Sequence, residues 1–227
     1  MLKRRPAFGV QRGLTLVELL VGIAVGMFVL AGATLLLSTQ LGDNRRLLLE
    51  TQLQQDLRAS LDIMTRELRR AGASPVAAQT VWVAGAPEPL ENNYAPITVA
   101  EGGTEIVFSY YRDGERNGPW GYRLREGGID SLMADAGWQE LTDRRVMRVT
   151  RFDVALESEA TELVPCPRAC SADPNDTSCW PELSTRVYTL ALEAESVLDP
   201  EVRRSLTSRV RVRNDQVDFN GASACPG

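Results

Sequence analysis

One charged side chain interrupts a long apolar stretch near the N-terminus of this 227-residue chain. From Leu14 to Leu37 the stretch has 24 residues, and Glu18 is the only one of them that is charged. A helix of that length extends about 36 Å, enough to cross a hydrocarbon core of roughly 30 Å. An acidic side chain in such a span costs about 2.5–3.5 kcal/mol, and such residues are usually paired and functional. Glu18 is therefore the first candidate functional residue.

The sequence in front of the apolar stretch is basic. Four cationic residues and no acidic residue precede Gly13: Lys3, Arg4, Arg5 and Arg12. An ordinary secretory signal has an apolar region of only about 7–15 residues followed by a small-residue cleavage site, so this pattern does not fit one. The cationic residues predict a single-pass anchor with a cytoplasmic N-terminus and with everything after Leu37 on the other side.

The composition restricts the chemistry of the remaining chain. It has no histidine, the commonest general base and metal ligand. No glycine-rich phosphate loop follows a strand, and no Ser or Cys has an activating neighbour, so we expect no catalysis and no cofactor. Residues 1–13 hold four of the 25 basic residues, so the remainder carries 21 against 30 acidic ones, a net charge of −9. Such a charge disfavours general nucleic-acid binding.

Gly22 and Gly26 have the spacing of a close helix–helix contact. Small residues four positions apart let two helix backbones approach each other inside a membrane. The alternative interpretation is that glycine is common in membrane helices in general.

The sequence becomes polar after Leu37 but keeps a helical period. Apolar residues recur at steps of three or four, which predicts an amphipathic helix. They are Leu53, Leu57, Leu61, Met64, Leu68 and Ala71. Gly72 and Pro75 predict the end of this helix, and Gly42-Asp43-Asn44 is a weak point within it. We expect one helix from Leu14 to Ala71, and a coiled-coil dimer is the alternative for its second half.

The sequence pattern of residues 73–227 predicts a β-rich head. Strand signals occupy residues 104–112, 122–125, 129–133, 138–141, 145–156, 186–195 and 203–213. Gly127-Gly128 predicts a hairpin turn, and Leu206, Val210 and Val212 are predicted to face inward. The fold class is therefore α+β, with a long N-terminal helix packed on an antiparallel β-sheet head.

Four cysteines lie in the head: Cys166, Cys170, Cys179 and Cys225. An even number outside the cytoplasm favours two disulfides, with three pairings open. We expect one bridge within residues 166–179 and one that holds the C-terminal tail through Cys225. The alternative, a four-cysteine zinc site, lacks the usual C-x₂-C pair, and we predict no metal.

Two further clusters of charge have both a functional and a structural interpretation. The acidic loop from Asp173 to Thr177 resembles a calcium loop but lacks glycine at its sixth position and Glu at its twelfth, so a solvated turn is favoured. Two arginine clusters suggest DNA contact, but charged side chains also protect sheet edges from aggregation. The clusters comprise Arg144, Arg145, Arg148 and Arg151, and Arg203, Arg204, Arg209, Arg211 and Arg213.

The residues Gly13-Leu14-Thr15-Leu16-Val17-Glu18 resemble the type III signal of the type IV pilin superfamily. The resemblance implies cleavage between Gly13 and Leu14, N-methylation of Leu14, and a meeting of Glu18 with the free amine of a neighbouring subunit during assembly. A carboxylate buried among apolar helices needs such a cation. Leu14 departs from the phenylalanine that usually follows the cut.

The head resembles PilW-type minor pilins in the segments RELRRAG, YRLREGGIDSL, GWQELTDRRV and VRVRN, and it is similar to the J-type minor pseudopilins of type II secretion. The resemblance implies a cleaved leader (1–13), a transmembrane and filament-core helix (14–37), its amphipathic half (38–72) and a periplasmic head (73–227). It also implies residence in the bacterial inner membrane, as a single pass, before transfer to a filament or its tip.

The function that the resemblance implies is that of a minor pilin, which primes or caps type IV pilus assembly. Its implied partners are the prepilin peptidase, other minor pilins and the major pilin, the inner-membrane assembly platform and a tip adhesin. A minor pseudopilin of a type II secretion system is the first alternative. A single-pass, membrane-anchored periplasmic binding or adhesion protein is an alternative of a different class.

Overall fold

The structure, a computed structural model, describes residues 13–76, 92–112 and 118–218, without the side chains of residues 158–160. Within these ranges the chain forms one α-helix and nine strands, so the predicted α+β class is confirmed. The chain divides into two compact units, Met1–Leu48 and Leu49–Gly227. The two units are described separately.

The helix α1 comprises Leu16–Leu68 and supplies all the described secondary structure of the first unit. Its apolar side chains in that unit are exposed, beginning with Leu16 and Val17. The helix continues through Gly42, the predicted weak point, without interruption. A glycine in a helix interior lowers helix stability by only about 1 kcal/mol relative to alanine.

In the second unit, α1 buries one face against the sheets. The predicted stripe is confirmed, because every member of it is at most 4 % exposed: Leu53, Leu57, Leu61, Met64, Leu68 and Ala71. These residues join one continuous core with apolar side chains from both sheets, among them Ile106, Phe152 and Leu190. Burial of each such side chain contributes about 1.5–3 kcal/mol.

The strands form two antiparallel sheets. The first contains β1 (Ile97–Val99), β2 (Glu105–Phe108), β3 (Trp120–Arg125), β4 (Gly128–Met133) and β5 (Trp138–Glu140), in that order. The second contains β6 (Met147–Leu163), β7 (Glu182–Ser196), β8 (Arg203–Arg211) and β9 (Gln216–Asp218). In it β7 lies between β6 and β8, and β9 also pairs with β7.

Two sheets are found where the sequence predicted one. After β5, the N–H groups of Leu141 and Thr142 both donate to the carbonyl of Ile129, and the chain then turns at Asp143. The next strand, β6, begins at Met147 and pairs with β7 instead of β5. This turn therefore ends the first sheet, and nothing in the strand pattern alone signals it.

The β3–β4 hairpin is confirmed with a one-residue shift of its turn. Arg125 pairs with Gly128, so Glu126 and Gly127 form the two-residue loop, both with positive φ (50° and 74°). Such loops match the twist of the strands that they connect.

The strands β6 and β7 are longer than predicted. They have 17 and 15 residues, and β6 continues past Leu156 through a polar stretch to Leu163. Because the stretch from Glu157 to Glu162 lacks apolar alternation, sequence periodicity could not identify it as a strand.

The C-terminal end of α1 is buried in the head and is held by distant residues. α1 ends at Leu68, and a turn follows it in which Gly72 has a φ of 78° and donates its N–H to the carbonyl of Ser109 at 2.9 Å. The side-chain amide of Asn214 donates to the carbonyls of Arg70 (3.3 Å) and Ala71 (3.0 Å). These bonds hold the turn that follows α1, where the Arg70 carbonyl also accepts the N–H of Ala73 at 3.0 Å.

A buried arginine holds Asn214, the residue whose side chain caps the end of α1. Arg186 on β7 is only 5 % exposed, and its guanidinium donates to the carbonyls of Ala95 (2.6 Å) and Asn214 (3.3 Å). The side-chain amide of Asn92 also donates a hydrogen bond to the carbonyl of Gly72, at 2.8 Å. Loops from three parts of the sequence therefore converge on the end of α1.

Tyr110 connects the last turn of α1 to the first sheet. Its hydroxyl donates to Glu67 at 2.5 Å, and its ring stacks on Trp120 at 5.3 Å between centroids. Burial, together with the Glu67 carboxylate, raises the pKa of Tyr110 to about 12. Both causes favour the neutral phenol.

We expect Asn214→Ala to lower the free energy of unfolding by about 0.5–1.5 kcal/mol, because the carbonyls of Arg70 and Ala71 lose the hydrogen bonds that the Asn214 amide donates. Urea unfolding of the full chain in detergent, followed by tryptophan fluorescence, measures the change. The control is Asn175→Ala, since Asn175 is exposed in a loop. Equal stability of the two variants would contradict the proposed importance of this cap.

We expect Glu67→Gln to bring the pKa of Tyr110 below about 12, while burial keeps it above its ordinary value of about 10. Stability linked to the neutral phenol is fully present below about pH 10 and is lost as the pH rises towards 12. An ultraviolet titration of tyrosinate formation measures the pKa. The titration step that is absent from the Tyr110→Phe variant is the one that belongs to Tyr110. Glu101→Gln should leave the titration unchanged.

Candidate assembly site

Glu18 and Thr15 cap the start of α1. The Glu18 carboxylate accepts hydrogen bonds from the backbone N–H and the hydroxyl of Thr15, both at 2.9 Å. In return, the N–H of Glu18 donates to the Thr15 hydroxyl at 3.3 Å. This is the reciprocal capping box, in which Thr is the N-cap and Glu is the third helical residue. The T-x-x-E spacing signals it in the sequence, but the sequence interpretation assigned Glu18 only to assembly.

The residues next to the predicted cut are accessible. Gly13 is exposed outside the helix, and the Leu14 side chain is 81 % exposed. The helix begins only at Leu16, so the predicted scissile bond precedes the first helical residue and does not lie in a hydrogen-bonded helical turn.

The apolar part of α1 is long and apolar enough to span a membrane, by length and composition. Its most apolar window of 18 residues has a mean hydropathy of 2.5, and none of that window is buried in the structure. Apolar surface of this extent that stays exposed calls for lipid or for partner helices.

Gly22 and Gly26 lie on this exposed surface. A Cβ atom added at either position would meet nothing within 4 Å. A single copy of the chain therefore gives no steric reason for glycine at these two positions.

The three cysteines that the structure describes are disulfide-bonded. Cys170 is bonded to Cys179, which is the bridge expected within residues 166–179, and it closes the loop between β6 and β7. The Cys179 N–H also donates to the Cys170 sulfur at 2.9 Å. Cys166 is disulfide-bonded as well, and Cys225 lies outside the described residues. Disulfide-bonded sulfurs are not available as zinc ligands.

The arginine clusters are engaged by carboxylates. Arg144 donates to Asp130 at 2.6 Å, and this hydrogen bond raises the pKa of Arg144. Arg209, Arg211 and Arg213 alternate with buried residues and share an exposed face. Two of these three are paired, Arg209 with Glu157 at 2.7 Å and Arg211 with Asp215 at 3.3 Å. The clusters therefore carry much less positive charge than their sequence suggests.

The acidic loop uses its oxygens locally. Asp173 accepts the N–H of Asn175 at 3.0 Å, and Asp176 accepts both the N–H and the hydroxyl of Ser178. The Ser178 hydrogen bonds lower the pKa of Asp176. In the described residues, no group of three or more His, Cys, Asp or Glu side chains is placed to hold a metal ion.

The long helix with an exposed apolar start and a capped Glu, joined to an antiparallel β head, defines a type IV pilin-like protein. Two family models match the chain: the prokaryotic N-terminal methylation motif at residues 9–34 and prepilin peptidase-dependent protein B at residues 46–212. The chain therefore belongs to the prepilin peptidase-dependent protein B family. No curated protein and no solved structure matches it.

We expect disulfide mapping to show two bridges, Cys170–Cys179 and Cys166–Cys225. The second pairing follows because Cys166 is already bonded and Cys225 is the remaining cysteine of the four. Mass spectrometry of a non-reduced digest identifies the linked peptides, with a reduced digest as the control. A linked peptide that joins Cys166 to a second copy of the chain would contradict the intramolecular pairing.

Proposed function

We propose that this protein is a minor pilin that primes or caps a type IV pilus. The membrane-held precursor is cut between Gly13 and Leu14, N-methylated at Leu14, and added to a filament through residues 14–37. The head, residues 73–227, lies in the periplasm before assembly, and residues 38–72 connect it to the span. The observation that carries this proposal is the pair of hydrogen bonds between Glu18 and Thr15 at the accessible start of α1.

The capping box gives Glu18 a neutral partner before assembly. Cleavage creates an α-amine on Leu14, and the amine of a neighbouring subunit is a cation that a buried carboxylate requires. An ion pair with that amine adds the Coulomb attraction of two charges, which the neutral Thr15 donors do not supply. Glu18 can therefore exchange its contact with Thr15 for an ion pair when apolar helices surround it.

The same helix surface supports close packing. Because Gly22 and Gly26 have open space around their Cα atoms, a second helix can approach the backbone there. The exposed apolar side chains between Leu16 and Leu37 would then be covered first by lipid and later by neighbouring helices.

The proposal implies a set of partners. The prepilin peptidase acts on the chain, which is a substrate and not a catalyst. Other minor pilins, the major pilin, the inner-membrane assembly platform and a tip adhesin would meet it afterwards. The PilW-type assignment remains a prediction from the head segments. A minor pseudopilin of a type II secretion system would use the same N-terminal chemistry, and the growth of surface pili, as opposed to protein secretion, distinguishes the two machines.

We expect two substitutions to separate processing from assembly. Gly13→Val should prevent cleavage, because the residue before the cut changes from no side chain to a branched one. Glu18→Gln should permit cleavage but reduce incorporation into sheared filaments at least about tenfold, since the amide carries no charge for the neighbour's amine. Intact-mass measurement reports cleavage, and immunoblots of filaments report incorporation.

The matched control is Asp62→Asn, an acid-to-amide change at an exposed position further along α1. It should leave both cleavage and incorporation unchanged. Normal function of an uncleaved Gly13 variant would refute the filament role and favour the single-pass periplasmic binding protein.

A further inference from the structure

A groove follows α1 in the unit Leu49–Gly227. Two adjoining cavities, of about 330 Å³ and 110 Å³, share Gln52 and Val146 in their walls. The helix forms one wall from Leu49 to Ile63, and the segment that leads from β5 into β6 forms the other. Leu198, beyond the end of β7, also lines the smaller cavity.

The wall opposite the helix is fixed by hydrogen bonds. The Thr142 hydroxyl is buried and accepts the N–H of Ile129 at 2.9 Å. Arg144 reaches back to Asp130 at 2.6 Å, across Gly128, where a Cβ would lie 2.6 Å from the Arg144 Nε. The groove is therefore preformed, and a ligand would not have to order this segment.

The groove combines apolar lining with a carboxylate. Leu53, Ile63 and Val146 supply apolar surface, and Asp56 lies half-buried among them. In the part of the chain that the structure describes, the Asp56 side chain makes no hydrogen bond or ion pair, whereas Asp143 on the opposite wall pairs with Arg145 at 2.9 Å. A half-buried carboxylate without a partner favours a cationic occupant.

The chain itself contains a segment with the complementary chemistry. Leu41 and Leu48 are 63 % and 72 % exposed on α1, seven residues apart, with Arg45 between them on the same helix face. Among the described residues, Arg45 has no ion pair. Two apolar anchors around one cation match a groove with apolar ends around one carboxylate.

We propose that the groove of one copy binds the segment Leu41–Leu48 of a second copy, with Arg45 paired to Asp56. Leu41 and Leu48 then cover the apolar lining on either side of the ion pair. Arg45 and Asp56 are eleven residues apart, about 16 Å along a helix. Two parallel copies at the same depth in a membrane cannot make this contact, so one copy must be shifted along the helix axis relative to the other. A filament supplies such a shift, and in this respect the inference rests on the proposed filament function.

The test is a charge exchange between two full-length copies with different tags, produced together in bacteria that assemble the filament. A photo-crosslinking amino acid replaces Gln52, which lines both cavities. We expect a cross-link to the Leu41–Leu48 peptide of the other copy. Asp56→Lys in the copy with the cross-linker should reduce it about tenfold, since like charges would then face each other. Arg45→Asp in the other copy should restore it.

Asp62→Lys is the matched control, because Asp62 is exposed on α1 and does not line the groove. It should leave the cross-link unchanged, and formation of the Cys170–Cys179 bridge reports that each variant is folded. Asp56→Asn, which removes the charge without reversing it, should give a smaller loss than Asp56→Lys.

Four results would overturn the inference. The first is a cross-link of equal yield with Asp56 and with Asp56→Lys, and the second is a loss of cross-linking that Arg45→Asp does not reverse. The third is cross-linking only to other proteins, and the fourth is a chain that is not cleaved. Intact mass reports cleavage in the same cells. An uncleaved chain would overturn the proposed function as well, whereas a cleaved chain with a charge-independent cross-link would overturn only the groove.

Discussion

The buried C-terminal end of α1 is the constraint on which the head depends. A helix leaves its last carbonyls without intrahelical donors, and the carbonyls of the turn that follows α1 also need donors from elsewhere in the chain. Arg213 and Asn214 supply donors from beyond β8, and Asn92 supplies one from the loop before β1. Since these residues belong to opposite ends of the head sequence, both sheets must be in place before the cap is complete. The cap therefore couples the helix to the entire head and not to one sheet.

The opposite end of α1 is satisfied by its own residues. Thr15 and Glu18 exchange hydrogen bonds within one turn, so no distant part of the chain is needed to begin the helix. A self-contained cap can be exchanged for another contact without disturbing the head. The two ends thus differ physically: one end holds the fold together, and the other is free to change partners.

Local and periodic features of this fold could be predicted from the sequence. The leucine stripe, the β3–β4 hairpin and the strands that became β6, β7 and β8 follow from steps of three, four and two residues. The division into two sheets, the strand β9 and the donors from Asn214 could not, because they depend on contacts between residues more than a hundred positions apart or on polar segments without a period. Of the site, the sequence identifies Glu18 as unusual, and the T-x-x-E spacing also signals its capping partner Thr15, a role that the assembly interpretation does not include.

The charges of the head direct association towards the helix. The outer strands of the second sheet, β6 and β8, carry charged side chains, and Glu157 and Arg209 pair across β7 between them. Charged side chains on edge strands oppose the addition of further strands. The head, residues 73–227, also carries more acidic than basic side chains. Two heads therefore repel each other at long range. In the proposed filament, attraction between subunits would come from the exposed apolar face of α1 and from the proposed pair of Arg45 with Asp56, which acts only at a defined stagger. Such a filament would gain its order from the helix, while the charged sheet edges oppose uncontrolled pairing.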